Sequence, residues 1–348
     1  MENTKTIDSV CTYCGVGCDI AAHVKDNKIV KIFAHPDGVV SQGKLCVKGK
    51  YGFDFVDSKE RLRIPRIKKS FLEKNPAIKE AISSSLTQFD DVWYECDLAG
   101  ATTAVAMKLK EVQAKYGRKS VASIGGARTS CESAYIFQKF TRHTLNSPHV
   151  DNCARVCHSP SLKGMRTTIG EGAATNPYND IYNCEFMIVM GSNTIEAHPI
   201  IANRIVEMAV KHDNMAVFDV REIKLHKFAK YKAIVPYEAN LLVLNMLAYV
   251  IITEELYSES FIAERTKGFD EFREKILNDP FANPKYFDCI EGYEQLSKMI
   301  PKVAREYALK KSMIFWGLGI TEHIDGSYAV MAITHLALMT GNIGKSGA

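Results

Sequence analysis

Four cysteines near the start of the chain are spaced for iron. Cys11, Cys14, Cys18 and Cys46 follow the pattern C-x2-C-x3-C-x27-C. Three thiols in one loop, with a fourth returned from a distance, can hold a cubane iron–sulfur cluster, because thiolates are soft ligands for iron. Gly15 and Gly17 let the backbone curl around a bulky inorganic centre. A structural zinc site, which usually pairs its ligands two and two, and a disulfide knot are the competing readings. Lys48 follows Cys46 by two residues. It is either a surface lysine or a cation that stabilises an added electron and bridges to a second cofactor. A second reactive stretch reads Asp151-Asn152-Cys153-Ala154-Arg155-Val156-Cys157-His158-Ser159-Pro160-Ser161. A thiolate beside a cation is acidified, and a neighbouring imidazole can move protons near neutral pH. Taken bare, the stretch permits a metal thiolate with a proton-handling histidine, a cysteine nucleophile, or a buried thiol beside a packed histidine.

The elements that must position these groups follow from apolar spacing. Ile20 to Val24 and Ile29 to Phe33 read as two strands around an Asp26-Asn27 turn, carrying the chain away from Cys18 and back to Cys46. This makes residues 1–60 a small cluster domain. Residues 61–92 read as a connector, broken by Pro65 and Pro76, with an exposed Ser83-Ser84-Ser85 loop. A helix is expected from Leu98 to Tyr116, a strand at Val121 to Ile124 and a helix from Cys131 to Leu145, making residues 61–150 the first part of an α/β domain.

Residues 151–348 then alternate strand and helix. Strands are expected at Phe186–Met190, Met215–Phe218, Ala233–Val235 and Met313–Trp316. Helices are expected at Pro199–Lys211, Asn240–Ile252, Phe269–Leu277, Glu294–Leu309 and Ser327–Met339. The pattern predicts an α/β fold with a doubly wound parallel sheet. Ligands in such sheets sit beyond the carboxyl ends of strands. Three strand ends carry small or polar residues: Gly191-Ser192-Asn193, Asp219-Val220-Arg221 and Gly317-Leu318-Gly319. None is a GxGxxG fingerprint, since Glu322 takes the third glycine's place after Gly317 and Gly319. Together they favour a nucleotide-bearing cofactor over ordinary loop chemistry.

Bulk properties narrow the class. The 348 residues suffice for two or three domains. The net charge of +4 is too mild and too evenly spread to argue for nucleic acid or a membrane surface. The basic run from Arg61 to Lys69 is interrupted by Leu62, Ile64 and Ile67. It reads as a solvated face or a partner contact. The longest apolar run, Leu241 to Ile252, is too short to span a bilayer. With ten cysteines and no export signal ahead of Cys11, reduced thiols and a cytoplasmic location are expected.

Cys11-x2-Cys14-Gly15-Val16-Gly17-Cys18 with Cys46-x-Lys48-Gly49, followed by Cys153-Ala154-Arg155-Val156-Cys157-His158-Ser159, resembles the catalytic subunit of molybdenum- or tungsten-dependent formate dehydrogenases. These belong to the molybdopterin oxidoreductases related to dimethyl sulfoxide reductase. Gly191-Ser192-Asn193-Thr194-x-Glu196-Ala197-His198-Pro199 and Thr340-Gly341-Asn342-Ile343-Gly344 are similar to further family segments. The resemblance implies that Cys11, Cys14, Cys18 and Cys46 bind one [4Fe–4S] cluster and that Cys157 ligates molybdenum or tungsten. It makes His158 the proton-handling neighbour and puts Lys48 between cluster and pterin. Arg155, Gly191, Ser192, Asn193, Glu196, Asp219, Arg221, Gly317 and Gly319 fall in regions that hold bis(molybdopterin guanine dinucleotide). Asp219-Val220-Arg221 departs from the family's Asp-Pro-Arg, which loosens the backbone there.

The implied reaction is oxidation of formate to CO2, with electrons passed to the cluster and on to iron–sulfur or acceptor subunits. Formylmethanofuran dehydrogenase-like and nitrate reductase-like enzymes, or an inactive cluster carrier, are the alternatives. Family catalytic subunits continue beyond Thr-Gly-Asn-x-Gly with a formate-binding arginine and a C-terminal β-barrel domain, both absent from these 348 residues. The resemblance therefore implies half of a catalytic subunit, a split product with a C-terminal partner polypeptide or a truncation.

Overall fold

A computed structural model of the protein describes residues 4–348. The chain divides into two units. One holds the chain up to Val24, Val30–Lys50 and Ala154–Ala348; the other holds Lys25–Ile29 and Tyr51–Cys153.

The first unit opens with an antiparallel sheet of β1 (Lys5–Val10), β2 (Asp19–Lys25) and β3 (Lys28–Ala34) in that order. β1 pairs β2 with Val10 opposite Asp19. The loop that carries three of the cysteines is therefore the tip of a hairpin, tied at its base by Cys11 N–H donating to the Cys18 carbonyl at 2.9 Å. Sequence patterning did not reveal β1, because all six of its residues are exposed and it has no apolar face to announce it. Asp26 and Asn27 both have positive φ, 49° and 60°. That is the backbone a tight hairpin turn requires.

The second unit corrects the reading of residues 61–92. The stretch is structured, with β4 (Arg66–Lys68), helices Lys69–Lys74 and Pro76–Ala81, and β5 (Leu86–Gln88). β4 and β5 flank β6 (Trp93–Cys96), both antiparallel to it. Pro76 starts its helix rather than breaking one, at a position where a missing N–H costs nothing. Leu72, Ile78 and Ile82 bury against Ala104 of the Leu98–Tyr116 helix. Asp97 caps that helix, accepting from Gly100 N at 2.6 Å. β7 (Ser123–Gly125) and β8 (Val150–Asn152) pair in parallel.

The rest of the first unit is a parallel four-stranded sheet in the order β11-β10-β9-β12. Its strands are β9 (Phe186–Met190), β10 (Met215–Asp219), β11 (Tyr231–Ile234) and β12 (Ser312–Trp316). Every residue of β9 is buried. Side chains alternate between two apolar layers. Phe186, Ile188 and Met190 pack with helices Asn240–Thr253, Gln295–Leu309 and Gly326–Thr340. Met187 and Val189 pack with Ile205 and Met208 of helix Pro199–His212. Helices on both faces explain the unbroken apolar strand sequence and make the sheet doubly wound, as expected.

The order also fixes where a ligand belongs. The chain runs β9 to β10 to β11 on one side, then returns to place β12 on the other side of β9. β9 and β12 therefore flank the point where the winding reverses, the usual ligand crevice of such sheets.

Candidate cluster and cofactor site

The cysteine loop is packed from behind. Val16 and Cys18 are buried with Ile200, and Cys11, Cys14, Cys46, Val40 and Tyr178 pack against them. Burial pushes the Cys18 thiol up to about 11, and the neighbouring Cys11, Cys14 and Cys46 add to the shift. All ten cysteines are free thiols in the structure. Among the described residues, no three His, Cys, Asp or Glu side chains are arranged to hold a metal ion in common. A [4Fe–4S] cluster asks for something else: one thiolate per iron, four thiols around a larger shared space. The donor set here, Cys18 with Cys11, Cys14 and Cys46 packed around it, fits that group. Tyr178 donates to the Gly15 carbonyl at 3.4 Å and fastens the loop tip.

Lys48 sits in the short helix Val47–Tyr51 that begins directly after Cys46. Its ammonium donates to the carbonyls of Glu196 at 2.6 Å and Ala197 at 3.3 Å. These carbonyls close the helical turn Thr194–Ala197, which follows β9. Lysine and strand end, separate in sequence, thus meet. His198 follows, and its pKa is lowered by burial first and then by the charges of Lys48 and His158.

Cys157 closes the helical turn Ala154–Cys157, and His158 leads into helix Ser159–Ile169. The segment is pinned over the end of β12. Thr321 donates to the Cys157 carbonyl at 2.5 Å. Trp316, the last residue of β12, donates from its indole to Ser161 Oγ at 2.9 Å, and His158 Nδ1 lies 3.2 Å from the same oxygen. Packing around the His158 ring lowers its pKa, opposed by the charge of Glu322. Arg155 is exposed on the same turn as Cys157.

The strand ends behave unequally. Gly191 and Gly319 meet each other: Gly319 N–H donates to the Gly191 carbonyl at 3.0 Å. A Cβ on Gly191 would lie 2.8 Å from the Gly319 carbonyl carbon, and a Cβ on Gly317 would lie 2.9 Å from the Gly191 oxygen. Packing of one strand end on the other explains these glycines before any ligand is invoked. Ser192 is buried and bonded to Thr194 Oγ1 at 2.9 Å. Asn193 donates to Glu196 Oε2 at 3.0 Å, while its own Oδ1 is buried with no partner. That orphaned acceptor, at the carboxyl end of β9, suits a nucleotide or pterin N–H donor. Asp219 accepts from Arg221 N–H at 3.3 Å, closing by a side chain the turn that the missing proline would have stiffened. Arg221 itself is exposed.

A cavity of about 600 Å³ joins several of these parts. Gly15, His158, Ser161, Ser192, His198 and Trp316 contribute to its wall. Sequence reasoning gave no site role to Ser161, Trp316, Thr321 or His198, although Ser161 and His198 lie within stretches it singled out. Ser161 could have been suspected from its place one helical turn after His158, and Trp316 from ending a strand; Thr321 gave no signal.

Comparison with known proteins agrees with this geometry. The family model for molybdopterin oxidoreductases matches residues 61–348, and that for the molybdopterin oxidoreductase Fe4S4 domain matches residues 4–58. Formate dehydrogenase H of Escherichia coli is 36% identical over 343 residues, 98% of this chain and 45% of that protein. The F420-dependent formate dehydrogenase subunit alpha of Methanocaldococcus jannaschii is 34% identical over 99% of this chain and 47% of its own length. The chain thus spans about half the length of these relatives. Among solved structures, acetylene hydratase from Pelobacter acetylenicus matches with a TM-score of 0.75 at 21% identity, over 99% of this chain and 44% of that one, a likeness of fold. No helix among the described residues is long and apolar enough to cross a membrane. With a Fe4S4 domain at its start and molybdopterin-binding architecture over the remainder, the chain belongs to the molybdopterin oxidoreductase family.

Proposed function

We propose that this chain takes part in the oxidation of formate to CO2, with release of two electrons and one proton, at a molybdenum or tungsten centre held by bis(molybdopterin guanine dinucleotide). The observation that carries the reading is the Cys157-His158 pair, pinned by Thr321 and Ser161 at the β12 end, within one unit with the four-cysteine loop. The relatives named formate dehydrogenase support the substrate. When bound, the metal–pterin group supplies a centre that accepts two electrons at once.

The chain's residues do the rest. Cys157 supplies a thiolate ligand. His158, its basicity lowered by packing, holds the departing proton at a ring nitrogen. Ser161 orients that ring. Lys48 places a fixed positive charge between the cysteine loop and the β9 end. Asn193 Oδ1, with Ser192, Glu196, Asp219, Arg221 and Arg155, holds the dinucleotide, and the Gly191–Gly317–Gly319 contact keeps the crevice wall thin. Cys11, Cys14, Cys18 and Cys46 hold the cluster that takes electrons singly. Iron–sulfur or other acceptor subunits receive them.

Formate-dependent reduction of the cluster, followed by EPR in the holoenzyme that contains this sequence with the rest of its catalytic subunit and the metal–pterin cofactor, tests the proposal. Reduction by formate that vanishes in Cys157→Ala supports it. A cluster that dithionite reduces and formate does not, with nitrate oxidising the reduced protein, moves the assignment to a nitrate-reducing relative.

A further inference from the structure

Arg204 is 3% exposed, on helix Pro199–His212. Its guanidinium meets only neutral acceptors: the carbonyls of Val40 at 2.7 Å and Ile200 at 3.3 Å, and Asn179 Oδ1 at 3.4 Å. Its Nε is buried with no partner. Among the described residues no carboxylate pairs with it. An arginine cannot shed its charge in a protein. An isolated buried cation costs several kcal/mol or more unless a negative group compensates it. Among the described residues the side chains supply no such group.

The surroundings indicate where the compensation lies. Ile200, one helical turn before Arg204, packs on Val16 and Cys18 in the cysteine loop, and Val40 packs in the same cluster of side chains. Tyr178 is a shared neighbour: it is bonded to Gly15 of the loop, and its phenol is pushed up by burial first and then by Cys14 and Cys18, while Arg204 pulls it down. A [4Fe–4S] cluster held by four thiolates is net negative and gains a further negative charge on reduction.

We propose that Arg204 is the buried counter-charge of the [4Fe–4S] cluster, a positioning cation that stabilises the reduced state and raises the reduction potential. The inference rests on the Fe4S4 assignment and is independent of the substrate. It gives a sequence-distant arginine a redox role distinct from that of Lys48, which points to the β9 end. A purely mechanical role, stapling the Val40 segment to the helix, would need the hydrogen bonds and not the charge.

The test uses the full chain with its cluster reconstituted anaerobically and a redox titration monitored by EPR, with iron and sulfide assayed in each sample. Arg204→Gln keeps an amide donor for the Val40 carbonyl and removes the charge. At a fixed potential its ratio of reduced to oxidised cluster should fall about tenfold, which is about 59 mV for a one-electron couple. Arg204→Lys keeps the charge, loses the fork, and should stay within about threefold of the parent. A Gln variant with full iron content and an unchanged potential overturns the proposal. If the Gln variant fails to hold a cluster, the Lys variant decides. A parental potential supports the charge role; a lost cluster, or a fall as large as tenfold, overturns it in favour of the staple.

Discussion

The Lys48 ammonium donates to the Glu196 carbonyl at 2.6 Å, joining the residue two positions after Cys46 to the turn that follows β9. A charge fixed this way acts at one place rather than sampling solvent. Replacing it with methionine should leave iron and sulfide content unchanged and slow formate-driven reduction of the cluster by at least about tenfold, the scale of one lost charge-assisted contact. Stopped-flow absorbance of the cluster reads the rate. An unchanged rate would reduce Lys48 to a structural tie.

Thiol reactivity should separate the cysteines in metal-free protein. Cys131, Cys153 and Cys289 are exposed, whereas Cys18, Cys96 and Cys184 are buried. Burial pushes Cys18 and Cys184 each up to about 11, and Cys184 also donates to the Phe186 carbonyl at 2.8 Å. The thiolate is the reactive form. Iodoacetamide at pH 8, followed by peptide mass spectrometry, should label the exposed three first and Cys18 and Cys184 last. Rapid labelling of Cys18 would contradict its packing in the loop.

Gly191 has φ of 57°, and a Cβ there would lie 2.8 Å from the Gly319 backbone. Strain and clash add, so Gly191→Ala should destabilise the fold by about 2–4 kcal/mol. Gly170 offers a control: φ is 79°, but a Cβ there meets nothing within 4 Å. Gly170→Ala should cost only about 1 kcal/mol. Chemical denaturation of both variants reads the difference, and equal losses would refute the backbone-contact explanation.

Glu306 joins Lys230, Lys310 and Tyr231 in an acid-sensitive group on the large sheet unit. Burial works to raise its pKa, but hydrogen bonds from Lys230, Lys310 and Tyr231 prevail and hold it at about 2. A carboxylate held below its unfolded value contributes stability above about pH 4.5, and that contribution is lost as pH falls towards about 2. Glu306→Gln should therefore lower stability at pH 7 by about 2 kcal/mol, with the gap to the parent closing in that acid window. Thermal melts between pH 2 and pH 7 measure it.

The sequence disclosed most clearly what repeats or alternates. The strands around β9 were legible because both faces are buried, leaving unbroken apolar runs. Cys157 and His158 stood out because reactive residue types adjoin. Residues 61–92 were misread because their two prolines looked like breaks, although Pro76 initiates a helix. β1 was hidden because all its residues face solvent. The contacts that complete the site, Trp316 to Ser161, Thr321 to Cys157 and Arg204 to Val40, span about 150 residues or more. Such pairs follow from sheet order, which no local pattern encodes.

The most direct test is EPR of the holoenzyme that contains this sequence together with the rest of the catalytic subunit, prepared anaerobically with metal–pterin cofactor and exposed to formate alone. The account predicts the signal of a reduced [4Fe–4S] cluster, lost when Cys157 is replaced by alanine and kept on dithionite reduction of that variant. A cluster that dithionite reduces but formate leaves oxidised, in protein whose metal and pterin content is complete, would contradict it.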